Sequence, residues 1–306
     1  MEKEHLAVAA FVLVALLIGA LAVVLLGSNA KDASQSPTQT PVQTPSSTPS
    51  QTPSPTPTQT PSPTPTPTKT PQISALIYTY TIVNMFQHDK YAFTQGLVVE
   101  SNDVLLEGTG NYGVSSLRRV GLRNGTVLQE YKLSNEYFGE GIALVGDKII
   151  QLTWQNYTGF VYDKTTFELL GKFNLTTEGW GLTYNGTHLI LSDGTSKLYF
   201  LDPNTFQIVG SVNVHDGNMS IAKLNELEYI NSTGEVYANI WEDQKIAIIN
   251  PQTGQVKAYI DLTGLYQTSN PNAVLNGIAY NQNTGQLYVT GKYWPSLYEI
   301  QITPKN

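Results

Sequence analysis

Glu140 stands in Phe138-Gly139-Glu140-Gly141, a single carboxylate flanked by glycines and two places after an aromatic ring. A carboxyl walled off by rings is partly desolvated, so its pKa rises and it can exchange a proton near neutral pH. Phe93, Phe138, Trp154, Trp180 and Trp241 are the rings available for such a wall. Gln95, in Phe93-Thr94-Gln95-Gly96-Leu97, and Asn225, in Leu224-Asn225-Glu226-Leu227-Glu228, add neutral hydrogen-bonding groups in similar settings. Lys292, in Gly291-Lys292-Tyr293-Trp294-Pro295, is a cation beside a tryptophan rather than within a solvated run of charge. Acid–base chemistry suits this set, and so does simple ligand binding in an aromatic pocket. Other chemistries fit poorly. His5, His88, His188 and His215 lack metal-ligand spacing, and no Gly-x-Ser-x-Gly elbow is present. Gly108-Thr109-Gly110-Asn111-Tyr112-Gly113 spells a dinucleotide fingerprint, but a β-like Val114–Val120 follows where a helix is required.

The elements that must position these residues recur. Five segments begin alike, at Phe93, Phe138, Gly179, Leu224 and Leu275. Their starts lie about 40–50 residues apart, the spacing of four-stranded propeller blades. Short alternating strands follow in each. The second repeat predicts strands at Lys148–Thr153, Gly159–Tyr162 and Leu169–Asn174. The third predicts His188–Ser192, Lys197–Leu201 and Ile208–Val212, and the fourth Val236–Ile240, Ile246–Ile249 and Val256–Ile260. Turn residues such as Asp202-Pro203-Asn204 and Pro251-Gln252-Thr253-Gly254 separate the last two strands of their repeats. The fifth repeat has Leu287–Thr290 and Leu297–Ile300 and lacks an outermost strand, while Ile77–Met85 is a spare strand ahead of the first. An all-β fold is therefore expected, a five-bladed β-propeller closed by its N-terminal strand, which leaves no open edge. A β-sandwich accounts for the strands but not for the repeated starts. In a propeller, equivalent inner-strand starts meet at one mouth. The aligned positions are Gln95, Glu140, Trp180, Glu226 and Asn276, with Asn225 alongside.

Composition sets the context. The 306 residues carry 17 Lys and Arg against 24 Asp and Glu, a net charge of −7, which argues against a nucleic-acid partner. With no cysteine, disulfides and thiolate chemistry are excluded. Leu6–Leu26 is an unbroken run of apolar and small residues, long enough to cross a hydrocarbon core of about 30 Å as a helix. Residues 1–30 are thus expected to be a transmembrane anchor, with a cleaved signal peptide ending near Ser28-Asn29-Ala30 as the rival. Residues 31–73, rich in Pro, Thr and Ser, read as a disordered stalk favouring extended polyproline II. Residues 74–306 form the folded domain. Six Asn-x-Ser/Thr sequons (Asn124, Asn156, Asn174, Asn185, Asn218 and Asn231) join the anchor and stalk in pointing to the outer face of a membrane, on a prokaryotic surface protein.

Taken in order, these motifs resemble the plant-type glutaminyl cyclases, or glutamine cyclotransferases. To the segments above are added Tyr112-Gly113-Val114-Ser115-Ser116-Leu117-Arg118, Gly179-Trp180-Gly181-Leu182, Ser192-Asp193-Gly194-Thr195, Ala238-Asn239-Ile240-Trp241 and Val289-Thr290-Gly291-Lys292. The resemblance runs from about Tyr78 to Ile302 and leaves out the anchor and stalk. It implies a five-bladed propeller that converts N-terminal glutamine of peptides or proteins to pyroglutamate, without metal or cofactor. It implies that Glu140 is the acid/base. Asn225, Gln95 and Lys292 would be polar partners, and Phe93, Phe138, Trp154, Trp180 and Trp241 the aromatic surround. Asn225, Lys292 or an indole N–H would stabilise the oxyanion. A monomer is expected. The competing expectation is a non-catalytic surface propeller that binds peptide or sugar through the same mouth.

Overall fold

The structure, a computed structural model, describes residues 75–305. The expected anchor and the expected stalk lie outside them. Among the described residues there is no helix. After β1 (Leu76–Gln87), a first antiparallel sheet comprises β2 (Thr94–Ser101), β3 (Val104–Thr109), β4 (Ser116–Gly121) and β5 (Val127–Lys132). A second comprises β6 (Gly139–Val145), β7 (Lys148–Thr153), β8 (Thr158–Asp163) and β9 (Leu169–Asn174). A third comprises β10 (Leu182–Tyr184), β11 (Leu189–Ser192), β12 (Lys197–Leu201) and β13 (Ile208–Asn213). A small hairpin, β14 (His215–Asp216) and β15 (Met219–Ser220), leads to the last sheet. That sheet has eight strands: β16 (Leu224–Ile230), β17 (Glu235–Ile240), β18 (Lys245–Ile249) and β19 (Val256–Asp261), then β1, then β22 (Ser296–Pro304), β21 (Leu287–Gly291) and β20 (Leu275–Tyr280).

The strand expected to complete the last repeat does so. β1 lies antiparallel to β22 from Tyr78 opposite Pro304 to Gln87 opposite Ser296. Its first residues also pair in parallel with β19, Leu76 opposite Ala258, so one strand covers two edges. The rejected dinucleotide-like segment, Gly108 to Gly113, is the end of β3 and a turn, and β4 follows it as the β-like pattern there predicts. The turns between third and fourth strands of the second, third and fourth repeats share one device with the turn between β20 and β21. The side chains of Asp163, Asp202, Asn250 and Asn281 each accept two backbone N–H groups within the next three residues. Of the sequon asparagines, Asn124, Asn174, Asn218 and Asn231 are exposed and Asn156 and Asn185 half-buried.

Burial grades from the inside outwards. β7 is buried along all but its first residue, whereas β9 alternates and β5 is largely exposed. Leu106, Leu117, Ile142, Ile149 and Tyr162 pack between the first and second sheets. Each aliphatic side chain so buried stabilises the fold by roughly 1.5–3 kcal/mol. The innermost strands form a closed circuit, β2 beside β6, β6 beside β10, β10 beside β16, β16 beside β20 and β20 beside β2. Their approach needs glycine. A Cβ on Gly96 would lie 2.5 Å from the Ile142 nitrogen, one on Gly141 2.6 Å from the Leu182 nitrogen, and one on Gly181 would strike the Asn225 carbonyl.

Register corrects one expectation. Counting from the paired residues Gly139, Leu224 and Leu275, the equivalents of Glu140 are Asn225 and Asn276, not Glu226. Glu226 takes the next place, which Gly96, Gly141, Gly181 and Gly277 hold elsewhere. Matching carboxylate to carboxylate had shifted the fourth repeat by one. Glu226 lies away from the mouth, and its carboxyl accepts the N–H groups of Leu97 (3.2 Å) and Ile278 (2.8 Å). Two turns of pleat further, Glu228 accepts the Tyr280 N–H at 3.1 Å. Burial raises the pKa of both, that of Glu228 to about 8 against the opposing pull of the Tyr280 N–H.

Because an unfolded glutamate ionises near pH 4.3 and folded Glu228 only near 8, the unfolded state gains relative stability across that window. Stability should therefore fall as pH rises from about 4.5 to 8. Glu228→Gln keeps an acceptor for Tyr280 and removes the titration, so its thermal midpoint should fall less over this range than the wild type's. Equal slopes for the two proteins would sink this account.

Candidate active site

Each innermost strand except the short β10 begins with a register shift, between Thr94 and Gly96, Gly139 and Ile142, Leu224 and Leu227, and Leu275 and Ile278. Such bulges re-aim side chains, and here they contain Gln95, Glu140, Asn225 and Asn276. Trp180 holds the same place ahead of β10. Two further sets of equivalent residues surround this one. Phe93, Phe138, Glu178, Lys223 and Val274 lie two places earlier. Gly110, Trp154, Asp193, Trp241 and Lys292 leave the ends of the second strands. Lys292 thus stands where two other repeats carry tryptophan.

All nine residues expected at a site line one cavity of about 370 Å³: Phe93, Gln95, Phe138, Glu140, Trp154, Trp180, Asn225, Trp241 and Lys292. Glu178, Glu242, Pro271, Asn272 and Val274 complete it. Sequence reasoning missed these five. Glu178 was findable, because it sits two places before Trp180 just as Phe93 and Phe138 precede Gln95 and Glu140.

Glu140 is 4% exposed. Gln95 Nε2 donates to its Oε1 at 2.7 Å, and Gln95 Oε1 accepts from Asn276 Nδ2 at 3.0 Å. Asn276 Nδ2 also donates to the Thr94 carbonyl at 2.9 Å. A carbonyl can only accept, so it fixes Asn276 as donor, hence Gln95 as acceptor at Oε1 and donor at Nε2. Glu140 Oε1 is thereby committed to accepting. Burial drives the Glu140 pKa well above the usual carboxylate range; Lys292 opposes that rise and the negative Glu178 adds to it. Burial thus favours the protonated carboxyl, and with Oε1 committed to Gln95 the relay leaves Oε2 to carry the proton.

Lys292 is 5% exposed, and burial lowers its pKa to about 8, with Glu140 pulling the other way. Its expected tryptophan neighbour is not its aromatic partner. Trp294 is buried in the core, donating its indole N–H to the Ala273 carbonyl, whereas Lys292 Nζ lies 4.6 Å from the centre of the Phe93 ring. Among the described residues no carboxylate lies within 4 Å of Lys292. Asn225 Oδ1 is buried without a partner. An uncompensated acceptor at a cavity wall is a place for a ligand donor.

The rings form an arc of edge-to-face contacts, Phe93 on Phe138 (5.8 Å between centroids), Phe138 on Trp154 (5.6 Å) and Trp180 on Trp241 (5.7 Å). The indoles of Trp154 and Trp180 both donate to Glu178 Oε2 at 2.9 Å. They are therefore not the free oxyanion donors expected of them. Some of the strained backbone adjoins residues of the mouth. Asn111, Lys223, Glu242 and Tyr293 all have positive φ, and Gly194, at φ +78°, lies flat against the Trp180 ring.

Fold and site together define a class, a β-propeller-like ring with a buried carboxyl placed in its cavity by a bulge of an innermost strand. Comparison supplies the family. The model of glutamine cyclotransferase matches residues 58–302, and the chain belongs to that family. It is 43% identical over 227 residues to the glutaminyl-peptide cyclotransferase of Arabidopsis thaliana, spanning 72% of this chain and 70% of that protein. The crystal structure of Myxococcus xanthus glutaminyl cyclase superimposes with a TM-score of 0.71 at 35% identity, covering 76% of this chain and all of that one.

A Cβ at Gly194 would fall 2.7 Å from the Trp180 ring. Gly194→Ala should accordingly destabilise the fold by about 1–3 kcal/mol and shift tryptophan emission, read by thermal melting and fluorescence. Unchanged emission would show that Trp180 does not rest on this turn.

Proposed function

We propose that this protein is a glutaminyl-peptide cyclotransferase, which closes the N-terminal glutamine of peptides or proteins to pyroglutamate and releases ammonia. The observation that carries the reading is Glu140, a carboxyl buried in an aromatic cavity that favours its protonated form, with one oxygen fixed by Gln95. Family membership supports it.

The substrate's α-amine, with a pKa near 7.7–8.0, attacks its own side-chain amide carbon in the neutral form. The N–C bond forms while the carbonyl electron pair moves to oxygen. Glu140 Oε2 gives its proton to the departing amide nitrogen and takes one from the attacking nitrogen. The C–N bond then breaks, the carbonyl re-forms and ammonia leaves. Glu140 ends as it began, protonated, which suits a group whose burial favours that form. Lys292 is the cation facing the developing oxyanion, and Asn225 orients the substrate through its unpartnered amide oxygen. Trp154, Trp180, Trp241, Phe93 and Phe138 exclude water and hold the side chain curled, the main gain open to an already intramolecular reaction. The residues that bind and move protons belong to this chain, and the scheme calls on no cofactor.

We further infer that the four-stranded units, with β1 completing the last, are the five blades of a monomeric propeller spanning residues 74–306. Upstream, the apolar run Leu6–Leu26 supports an anchor in residues 1–30, and the Pro/Thr/Ser composition supports a stalk in 31–73. The sequons favour an extracytoplasmic location. These inferences rest on composition and pattern.

Incubating the full-length protein with a peptide beginning in glutamine should accelerate loss of the mass of ammonia over the spontaneous rate. Glu140→Gln should lower kcat by about 10²–10⁴-fold with an unchanged melting curve. A variant with the full rate would remove Glu140 from the mechanism. Lys292→Met should cost about 10²–10³-fold in kcat if the cation stabilises the oxyanion. In the wild type the rate should decline above about pH 8 as Lys292 deprotonates. Persistence of that decline in Lys292→Arg, which stays charged, would assign it elsewhere.

A further inference from the structure

The aromatic arc has one gap. Phe93, Phe138 and Trp154 form one edge-to-face run and Trp180 and Trp241 another, and only Glu178 joins them, receiving both indole N–H groups on Oε2. Its other oxygen has one long contact, with Gln155 Nε2 at 3.4 Å. The segment carrying Glu178 is anchored on both sides. Thr177 Oγ1 donates to Asp193 Oδ2 at 2.7 Å, and Tyr199 donates to the same oxygen at 3.0 Å. After Glu178, Gly179 packs so closely on β7 that a Cβ would lie 2.7 Å from that of Leu152. Gly194, next to Asp193, supports the Trp180 ring from beneath. Ser192-Asp193-Gly194-Thr195 therefore holds the segment of Glu178 and Trp180 in place.

We propose that Glu178 is the positioning residue of the substrate pocket, locking Trp154 and Trp180 by a shared acceptor so that the two walls confine the glutamine side chain as one surface. This rests on the cyclotransferase reading of the cavity. An indole left without an acceptor can swing about its side-chain torsions, and the pocket loses the shape that favours the curled substrate. A separate effect follows from charge. Glu178 adds to the proton affinity of Glu140, so neutralising it should make Glu140 ionise at lower pH.

Two variants separate the roles. Glu178→Gln retains an acceptor oxygen for both indoles and removes the charge; Glu178→Ala removes both. In the full-length protein, Glu178→Ala should shift tryptophan emission and raise KM for a glutamine-initiated peptide about tenfold or more. Glu178→Gln should keep the emission spectrum and hold KM within about threefold. Unchanged emission and KM in Glu178→Ala would overturn the proposal. Equal damage in both variants would overturn it too, since the charge would then matter and the bridge would not. The emission measurement needs no turnover. A wild type that forms no pyroglutamate would therefore count against the reaction, while the spectra would still decide the bridge.

Discussion

Five strands converge on one axis, and each brings an unpaired row of N–H and C=O groups to a place water cannot fully reach. Every such group left unsatisfied costs about 1–3 kcal/mol, so the ring stands or falls on how these edges are matched. The chain answers with side chains lent by neighbouring sheets. Glu226 takes the N–H groups of Leu97 and Ile278, Glu228 that of Tyr280, Thr183 that of Tyr229 and Asn239 that of Gly277. Where strands press too closely for any side chain, glycine stands and backbone meets backbone, as in the Gly141 N–H donated to the Trp180 carbonyl at 2.7 Å. Glu226 is the single departure from the glycine ring, and its carboxyl spans what the four glycines leave open.

The cavity is a by-product of the same convergence. A bulge at the start of every innermost strand but β10 rotates one residue out of the ladder, and the closed circuit of strands gathers those residues although they run from Gln95 to Asn276 in sequence. Neither the acid nor its relay needs a loop of its own. Thr94, Gln95 and Asn276 belong to the first and last repeats and Glu140 to the second, so closure of the ring and orientation of the acid are one event. The elevated proton affinity of Glu140 follows from burial among rings that the hydrophobic packing would require in any case.

Much of this was legible in the chain. Strand positions in the second to fourth repeats agree with the structure to within a residue or two, because inner and middle strands are near-continuous apolar runs bounded by Asp, Asn and Gly turns. The spare strand at Ile77–Met85 was recognisable because the last repeat was one short. The cavity-lining residues were recognisable from type. What was not legible depended on register and direction. Glu226 resembles Glu140 in its letters, yet the bulge places it one residue on. Trp294 and Lys292 are two apart and face opposite ways. The spacing of Glu178 before Trp180 places it at the mouth, but not that two indoles end on its oxygen.

The pairing of β1 with β22 also fixes an order of events in synthesis. β1 is the first strand of the described fold to be made and its partner the last, with more than two hundred residues between them. Until β22 is complete, β1 has only its short parallel contact with β19, itself made late, and the apolar faces of the early sheets await a ring that cannot yet close. Non-local pairing of this kind is slow and leaves strand edges open to other chains. A nascent chain of this protein is thus most vulnerable to association just before its final strand is made, and a truncation that removes β22 would leave it in that state permanently.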